Sequence, residues 1–466
     1  MAASLPISGR VETPKPEAGQ RGGPGMAAAV QRPTVSTASI RLPLQFMVAG
    51  LLALFLGAGW LVAHADVLII SRYTPEAVAL THLFVLGWLG SVVMGAVYQL
   101  VPVALETKLY SERLANWQFG FHVIGFVGMI LMFRTWNMKL LGYFGTLLTI
   151  GVVLFACNVA RTLLRVPKWN VIAVGVASAL TWLLLTVIAG LLLVAGQRGW
   201  APVLRFNPLA AMDAHAHLGV VGFFTTLIVG VSYKLVPMFT LSELQNHRRA
   251  VASVLVLNIG LIGLFVGILW QQPWKLLFAL IIVLALALYG WELQAIVRAR
   301  KRRTLDWGVT YFLTALAVLG ALSVLALVLC WPGLPATPFA ARLETIYGFL
   351  GLIGFVSWAV LGMLYKIIPF LIWFGVYSRH IGRARVPALA EMYSERLQAA
   401  GYWTYLPGLA VTVLAVLFAS ETGVRLGCSL LALSLAIFAW NIGKILSHYF
   451  RPKLTPLKIV NPTTGL

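Results

Sequence analysis

Acidic residues are scarce in this chain. Only 14 Asp and Glu stand against 35 Lys and Arg in 466 residues, and charged side chains of both signs make up 11%. A soluble fold of this length needs a polar shell, and a sequence that is 60% hydrophobic cannot supply one. Cysteine is scarcer still. Cys157, Cys330 and Cys428 lie at or within separate apolar runs, which excludes a disulfide framework or a Cys-based zinc motif. The runs also lack the strict alternation of a membrane barrel. Residues 1–40 contain no apolar core of signal-peptide type; rich in Pro, Gly and Ala, they are expected to form a disordered cytoplasmic tail.

What is present is a series of apolar runs of bilayer-crossing length. Twelve are counted: roughly 42–64, 77–103, 114–133, 140–160, 169–195, 210–238, 250–270, 273–296, 307–331, 343–373, 399–419 and 424–448. Backbone groups in lipid must be satisfied internally, so each run predicts a helix. The expected fold class is therefore an all-α polytopic membrane protein, with a twelve-helix domain over 41–450 and a cytoplasmic C-terminal tail over 451–466.

A net charge of +21 raises the question of nucleic acid, but its placement answers it. With both termini cytoplasmic, only Arg72, Arg134, Lys139, Arg198, Arg205, Lys275, Arg342 and Arg425 fall on the outer side, and the other 27 Lys and Arg fall on the inner side. That asymmetry follows the positive-inside rule and suits a bacterial inner membrane. The run "RARKRR" at 298–303 is read as a topology determinant touching lipid headgroups, with no nucleic-acid partner.

Segments 2, 6 and 10 share one pattern, counted from His82, His217 and Phe349 as position zero. Gly follows at +5 (Gly87, Gly222, Gly354) and +13 (Gly95, Gly230, Gly362), Tyr at +16 (Tyr98, Tyr233, Tyr365) and Pro at +20 (Pro102, Pro237, Pro369). "YSERL" at 110–114 recurs at 393–397, with "LSEL" at 241–244 as a weaker version. The chain is thus expected to be three pseudo-symmetric four-helix arcs of about 41–165, 166–300 and 301–450, arranged in a ring. At about 100° per residue, the Gly, Tyr and Pro positions fall on one face within about 80°, and position zero points to the opposite side. The glycine stripe reads as a close-packing seam.

Of eight histidines, His64, His247, His380 and His448 lie at span ends or in loops. His82 and His217 occupy equivalent positions about 9 Å into their helices from the outer face. His122 lies deeper, at about 18 Å, and reads as a hydrogen-bonded core histidine. His215 leaves its helix about 200° from His217, so the two face adjacent pockets. Imidazole is a good axial ligand for heme iron, and facing imidazoles from His82 and His217 would make a low-spin, electron-transferring b-type heme. His215 is left for a second heme.

Twelve helices in three arcs, a histidine on segment 2 and the stretch "AHAHLGVVGFFTTLIVGVSYKLVP" resemble subunit I of the heme–copper oxidase superfamily, in particular C-family cytochrome c oxidases and nitric-oxide reductases. "LYSERLANWQFGFHVIG" resembles the segment that follows such a helix there. The resemblance implies that His82 and His217 clasp the low-spin heme, that His215 binds the other heme, and that cytochrome c-type or other redox subunits are partners. Two departures mark the chain as divergent. The H-x-H pair lies on segment 6, whereas segment 10 carries Tyr347 and Phe349, and no set of copper-ligand histidines is found, which leaves catalysis unassigned. The alternative readings are an NnrS-like heme and copper protein of nitric-oxide tolerance, and a non-redox transporter, for which Glu292, Lys234 and Lys366 are the charged candidates.

Overall fold

The computed structural model describes residues 40–199 and 206–456. The expected N-terminal tail therefore lies outside the described residues except for Ile40, as does the C-terminal tail beyond Pro456.

Twelve helices are long and apolar enough to span a membrane: α1 (Arg41–Ala63), α2 (Pro75–Ala104), α3 (Glu112–Arg134), α4 (Met138–Leu163), α5 (Val171–Gln197), α6 (Pro208–Thr240), α7 (His247–Leu269), α8 (Lys275–Arg298), α9 (Trp307–Leu329), α10 (Pro338–His380), α11 (Glu395–Leu417) and α12 (Glu421–Phe450). Odd helices start and even helices end on the face richest in Lys and Arg, here the basic face. The opposite side is the histidine face. The first and second helices of each arc pack together, as do the third and fourth. Successive arcs meet at α4–α5 and α8–α9, and α12 returns to α1, which closes the ring. The second helices α2, α6 and α10 are the most buried and occupy its centre. Each begins with a side-chain cap followed by proline, the favoured order at a helix start: Thr74–Pro75, Asn207–Pro208 and Thr337–Pro338.

The glycine stripe is a packing seam, and its partner is the first helix of the same arc. A Cβ added at Gly95 would lie 3.0 Å from the Pro43 carbonyl oxygen in α1. At Gly230 it would lie 2.9 Å from Gly175 Cα in α5, and at Gly362 2.6 Å from the Gly308 carbonyl oxygen in α9. Main chain approaches main chain there, so small residues set the helix spacing.

The angle between that seam and position zero needs correction. Each central helix changes winding immediately after position zero, with π-helical stretches at Leu83–Gly90, Leu218–Thr225 and Leu350–Ser357. A constant 100° step does not carry across a stretch bonded i to i+5, so the sequence-derived wheel misaligns the two ends. The wider turn also upsets the carbonyl ladder, and in every arc a side chain bonds the carbonyl at +4. Ser91 donates to Leu86 O at 3.4 Å and Thr226 to Val221 O at 3.3 Å, both from +9. In the third arc +9 is Trp358, and Tyr405 of α11 donates to Ile353 O at 2.8 Å instead. A buried carbonyl without a donor would be costly, and each arc avoids that cost.

A second threefold device lies toward the basic face. The third helix of each arc starts on a capping side chain, Ser111, Asn246 or Ser394. The fourth helix sends a buried polar group to that start. Asn158 accepts from Ser111 N at 3.0 Å and donates to Ser111 O at 2.8 Å. Asn441 treats Ser394 alike, at 2.8 and 3.0 Å. In the second arc Glu292 accepts from Gln245 N at 2.7 Å, Asn246 N at 2.8 Å and the Arg249 guanidinium at 2.8 and 2.5 Å. Glu292, a charged candidate for transport, is thus wholly engaged in joining α7 to α8.

Candidate functional site

Position zero lies where the α-helical winding of α2 and α6 gives way to the π-stretch, near the histidine face. His82 Nδ1 lies 2.8 Å from Val78 O and His217 Nδ1 2.7 Å from Asp213 O, each four residues back. A carbonyl can only accept, so Nδ1 carries the proton and Nε2 keeps its lone pair. This is the tautomer and orientation that a metal-binding imidazole uses.

The sequence reading set His82 opposite His217. The structure brings His82 to His215 instead, with ring centres 6.4 Å apart and planes differing by 16°. His82 also packs on Phe133 of α3, at 4.3 Å between ring centres. His217 lies against Tyr347 of α10, with ring centres 5.9 Å apart and the phenol oxygen 3.4 Å from Nε2. One rule describes both pairs: position zero of one arc faces position −2 of the next. In the sequence His82 and His217 share a depth, but packing offsets neighbouring arcs by two residues. Extended by the same register, the rule would set Phe349 against Leu80 at the third interface, and both are buried and apolar.

His215 points toward α5, where a Cβ on Gly190 would lie 3.2 Å from its Cε1. The Thr186 carbonyl is near this ring, yet the buried Nδ1 makes no hydrogen bond of normal geometry. A buried ring nitrogen without a partner is uncommon, and His122 Nδ1 is in the same condition. His122 stands apart from this set. It is fully buried, its Nε2 is 3.0 Å from Ser91 Oγ, and it supports the hydroxyl that bonds the Leu86 carbonyl.

An ion network beside the site was not visible in the sequence. Arg72, in the loop before α2, pairs with Asp213 of α6 at 3.3 Å and with Glu344 of α10, so it joins all three arcs. Tyr73 donates to both Asp213 oxygens at 3.1 and 3.0 Å, and the guanidinium lies over its ring. Burial alone would lower the Arg72 pKa, but Asp213, Tyr73 and Glu344 together raise it. Burial first, then Asp213, pushes the Tyr73 phenol well above its usual range. Asp213 belongs to both systems: its carboxylate is held by Arg72 and Tyr73, and its carbonyl holds His217. The sequence signal was an isolated Asp four residues before His217, in a helix otherwise almost free of charge.

Among the described residues, no group of three or more His, Cys, Asp and Glu side chains is gathered as a metal site. Lys366 pairs with Asp306, which also binds Arg302 at 2.7 Å, so this lysine is engaged at the basic face.

No family model matches the chain. A stretch of 59 residues is 44% identical to a cytochrome c oxidase subunit 1 homolog, bacteroid, of Bradyrhizobium diazoefficiens, covering 12% of this chain and 11% of that protein. The match thus spans about a tenth of that relative's length. A heme–copper terminal oxidase, solved as a dimer by cryo-EM, is similar over 90% of this chain and 84% of its own, with a TM-score of 0.63 at 13% identity. Both likenesses fall within the superfamily that the sequence resembles. The chain has the subunit I fold of the heme–copper oxidases.

Proposed function

From a heme–copper oxidase fold with three histidines near one face, we propose that this chain is a divergent, subunit-I-like membrane heme protein. It binds b-type heme near the histidine face and passes electrons in a respiratory or nitrogen-oxide system. The His82–His215 pair carries this reading. His82 and His215 come from neighbouring arcs with ring centres 6.4 Å apart, and the His82 Nδ1 proton is already committed to a carbonyl, so these two imidazoles are the residues that would hold a heme iron.

A bound heme supplies a one-electron redox couple. The chain's own groups do the rest. Val78 O fixes the His82 tautomer, and Asp213 O does the same for His217. The family resemblance assigns His217 to the first heme and His215 to a second, and the ring pairs favour exchanging them. His217 then serves the second position, with the Tyr347 phenol across from it. The Arg72 network ties the three arcs together at this end. The membrane is the cell's inner membrane, with the basic face and both termini toward the cytoplasm, a placement supported by the Lys and Arg distribution. Cytochrome c-type or other redox subunits are the expected partners.

The test is a reduced-minus-oxidised visible spectrum of protein purified after heme-replete expression. A bis-histidine b-type signal lost in both His82→Ala and His215→Ala, and retained in His217→Ala, supports the reading. Well-folded protein that takes up no heme would sink it and move transport forward.

A further inference from the structure

The third arc carries no histidine at the positions that distinguish the other two, and its replacements share one chemical property. Counting from the caps Ser111 and Ser394, Phe119 corresponds to Tyr402 and His122 to Tyr405. At +9 of the central helix Ser91 corresponds to Trp358. Phe46 of α1 contacts Tyr98 and Phe119, as Tyr311 of α9 contacts Tyr365 and Tyr402. Four positions that hold Phe, Phe, His and Ser in the first arc thus hold Tyr311, Tyr402, Tyr405 and Trp358 in the third. Packing alone is served by phenylalanine. Tyrosine and tryptophan add the capacity to lose one electron.

These rings form a continuous path. Tyr405 and Trp358 are 4.8 Å apart, Trp358 and Tyr402 5.6 Å, and Tyr402 and Trp307 5.4 Å. Trp358 is fully buried and its indole N–H has no hydrogen-bond partner. Its neighbour Ser357 accepts from Trp88 of α2 at 3.0 Å, a buried bond between two of the central helices. Trp307 is half-buried and opens α9 at the basic face. The path therefore runs from the centre of the ring to the membrane boundary.

We propose that the third arc is an electron-hole relay that carries an oxidising equivalent from the core to the basic face. The oxidant is an oxygen- or peroxide-derived species arising at the second proposed heme position, beside His217, so its source rests on that reading. It takes one electron from Trp358, leaving an indole radical cation. Trp307 returns one electron to Trp358 across the Tyr402 ring and releases its indole proton to boundary water. A small thiol then gives a hydrogen atom to the Trp307 radical, and two such thiols leave as a disulfide. Tyr405 and Tyr311 flank the path. Their hydroxyls donate to the carbonyls of Ile353 and Gln398, which are poor bases, so the tryptophans hold the charge.

The test uses the full chain in detergent, without heme, and a lipophilic ruthenium photo-oxidant with a cobalt(III) quencher. Tryptophan oxidation products are then located by peptide mass spectrometry. The expected result is product at Trp307 several-fold above that at other half-buried tryptophans. In Trp307→Phe it moves to Trp358, and in Tyr402→Leu the Trp307 product falls several-fold. Trp307→Phe lies at the helix start and serves if Tyr402→Leu does not fold. Oxidation that follows exposure alone, unchanged in both variants, overturns the relay. Repeating the experiment with peroxide on heme-loaded protein separates the two ideas. If photo-oxidation shows the relay and peroxide does not, the heme is not the source of the oxidant and the relay stands, while the heme reading itself is decided by the reduced-minus-oxidised spectrum.

Discussion

The two ends of the ring treat threefold symmetry in opposite ways. Toward the basic face the same joint is built three times, with a polar side chain of the fourth helix on the start of the third, at a separation of 47 residues in each arc. Toward the histidine face the three interfaces share a register but not a chemistry: His82 with His215, His217 with Tyr347, and by register Phe349 with Leu80. Groups that hold the helices together are kept, and the groups at the candidate site differ. A shared backbone geometry offers three places there, and side-chain identity sets them apart.

The largest effect is expected where the conserved joint is most charged. Glu292→Ala would leave Arg249 and two backbone N–H groups without their acceptor, and loss of one partner of a buried ion pair costs about 3–5 kcal/mol. Asn441→Ala should cost about 1–3 kcal/mol, the range for buried groups left unpaired. Thermal unfolding in detergent measures both, and equal losses would show that the charged joint has no special weight. Gly230→Val should follow at about 1–3 kcal/mol by overpacking, because Gly175 Cα has no room to yield.

Smaller effects are expected at the other end. His82→Ala in heme-free protein should change stability by less than about 1 kcal/mol, as for a partly exposed site, and in heme-loaded protein it should abolish the bis-histidine signal. A large loss of stability without heme would make His82 a structural group and erase the contrast between the two ends. The smallest effect is at alkaline pH. The Tyr73 phenol is raised in the folded state, so folding retains its proton when the unfolded chain has lost it. Its contribution is fully present below about pH 10 and is lost as pH rises further toward the folded value. A thermal-unfolding series between neutral and strongly alkaline pH should fall less steeply in Tyr73→Phe.

The helices and their number were legible because apolar runs of this length leave few alternatives. The seam was legible because Gly, Tyr and Pro recur without a gap. The histidine pairing was not. Depth along a helix can be counted, but the two-residue offset between arcs arises only when three helices pack. The π-stretches were invisible for a related reason: "LFVLGWLG" and "LGVVGFFT" read as ordinary apolar helix, and nothing in them announces a wider turn. Asn158 and Asn441 could have been found. Each is an isolated amide in an apolar helix, 47 residues after the serine of a repeated "YSERL". The Arg72 network joins residues from three arcs and has no local sequence signature.

The π-stretches also say something about history. An irregular turn of eight residues stands at the same register in α2, α6 and α10, yet the side chains that bond its +4 carbonyl come from different places. Three independent origins of one irregularity are harder to account for than one. The widened turn is most simply an inheritance from a single ancestral four-helix unit, copied twice and joined end to end. On that view the local remedies, a serine, a threonine and a borrowed tyrosine, are later than the fault they mend.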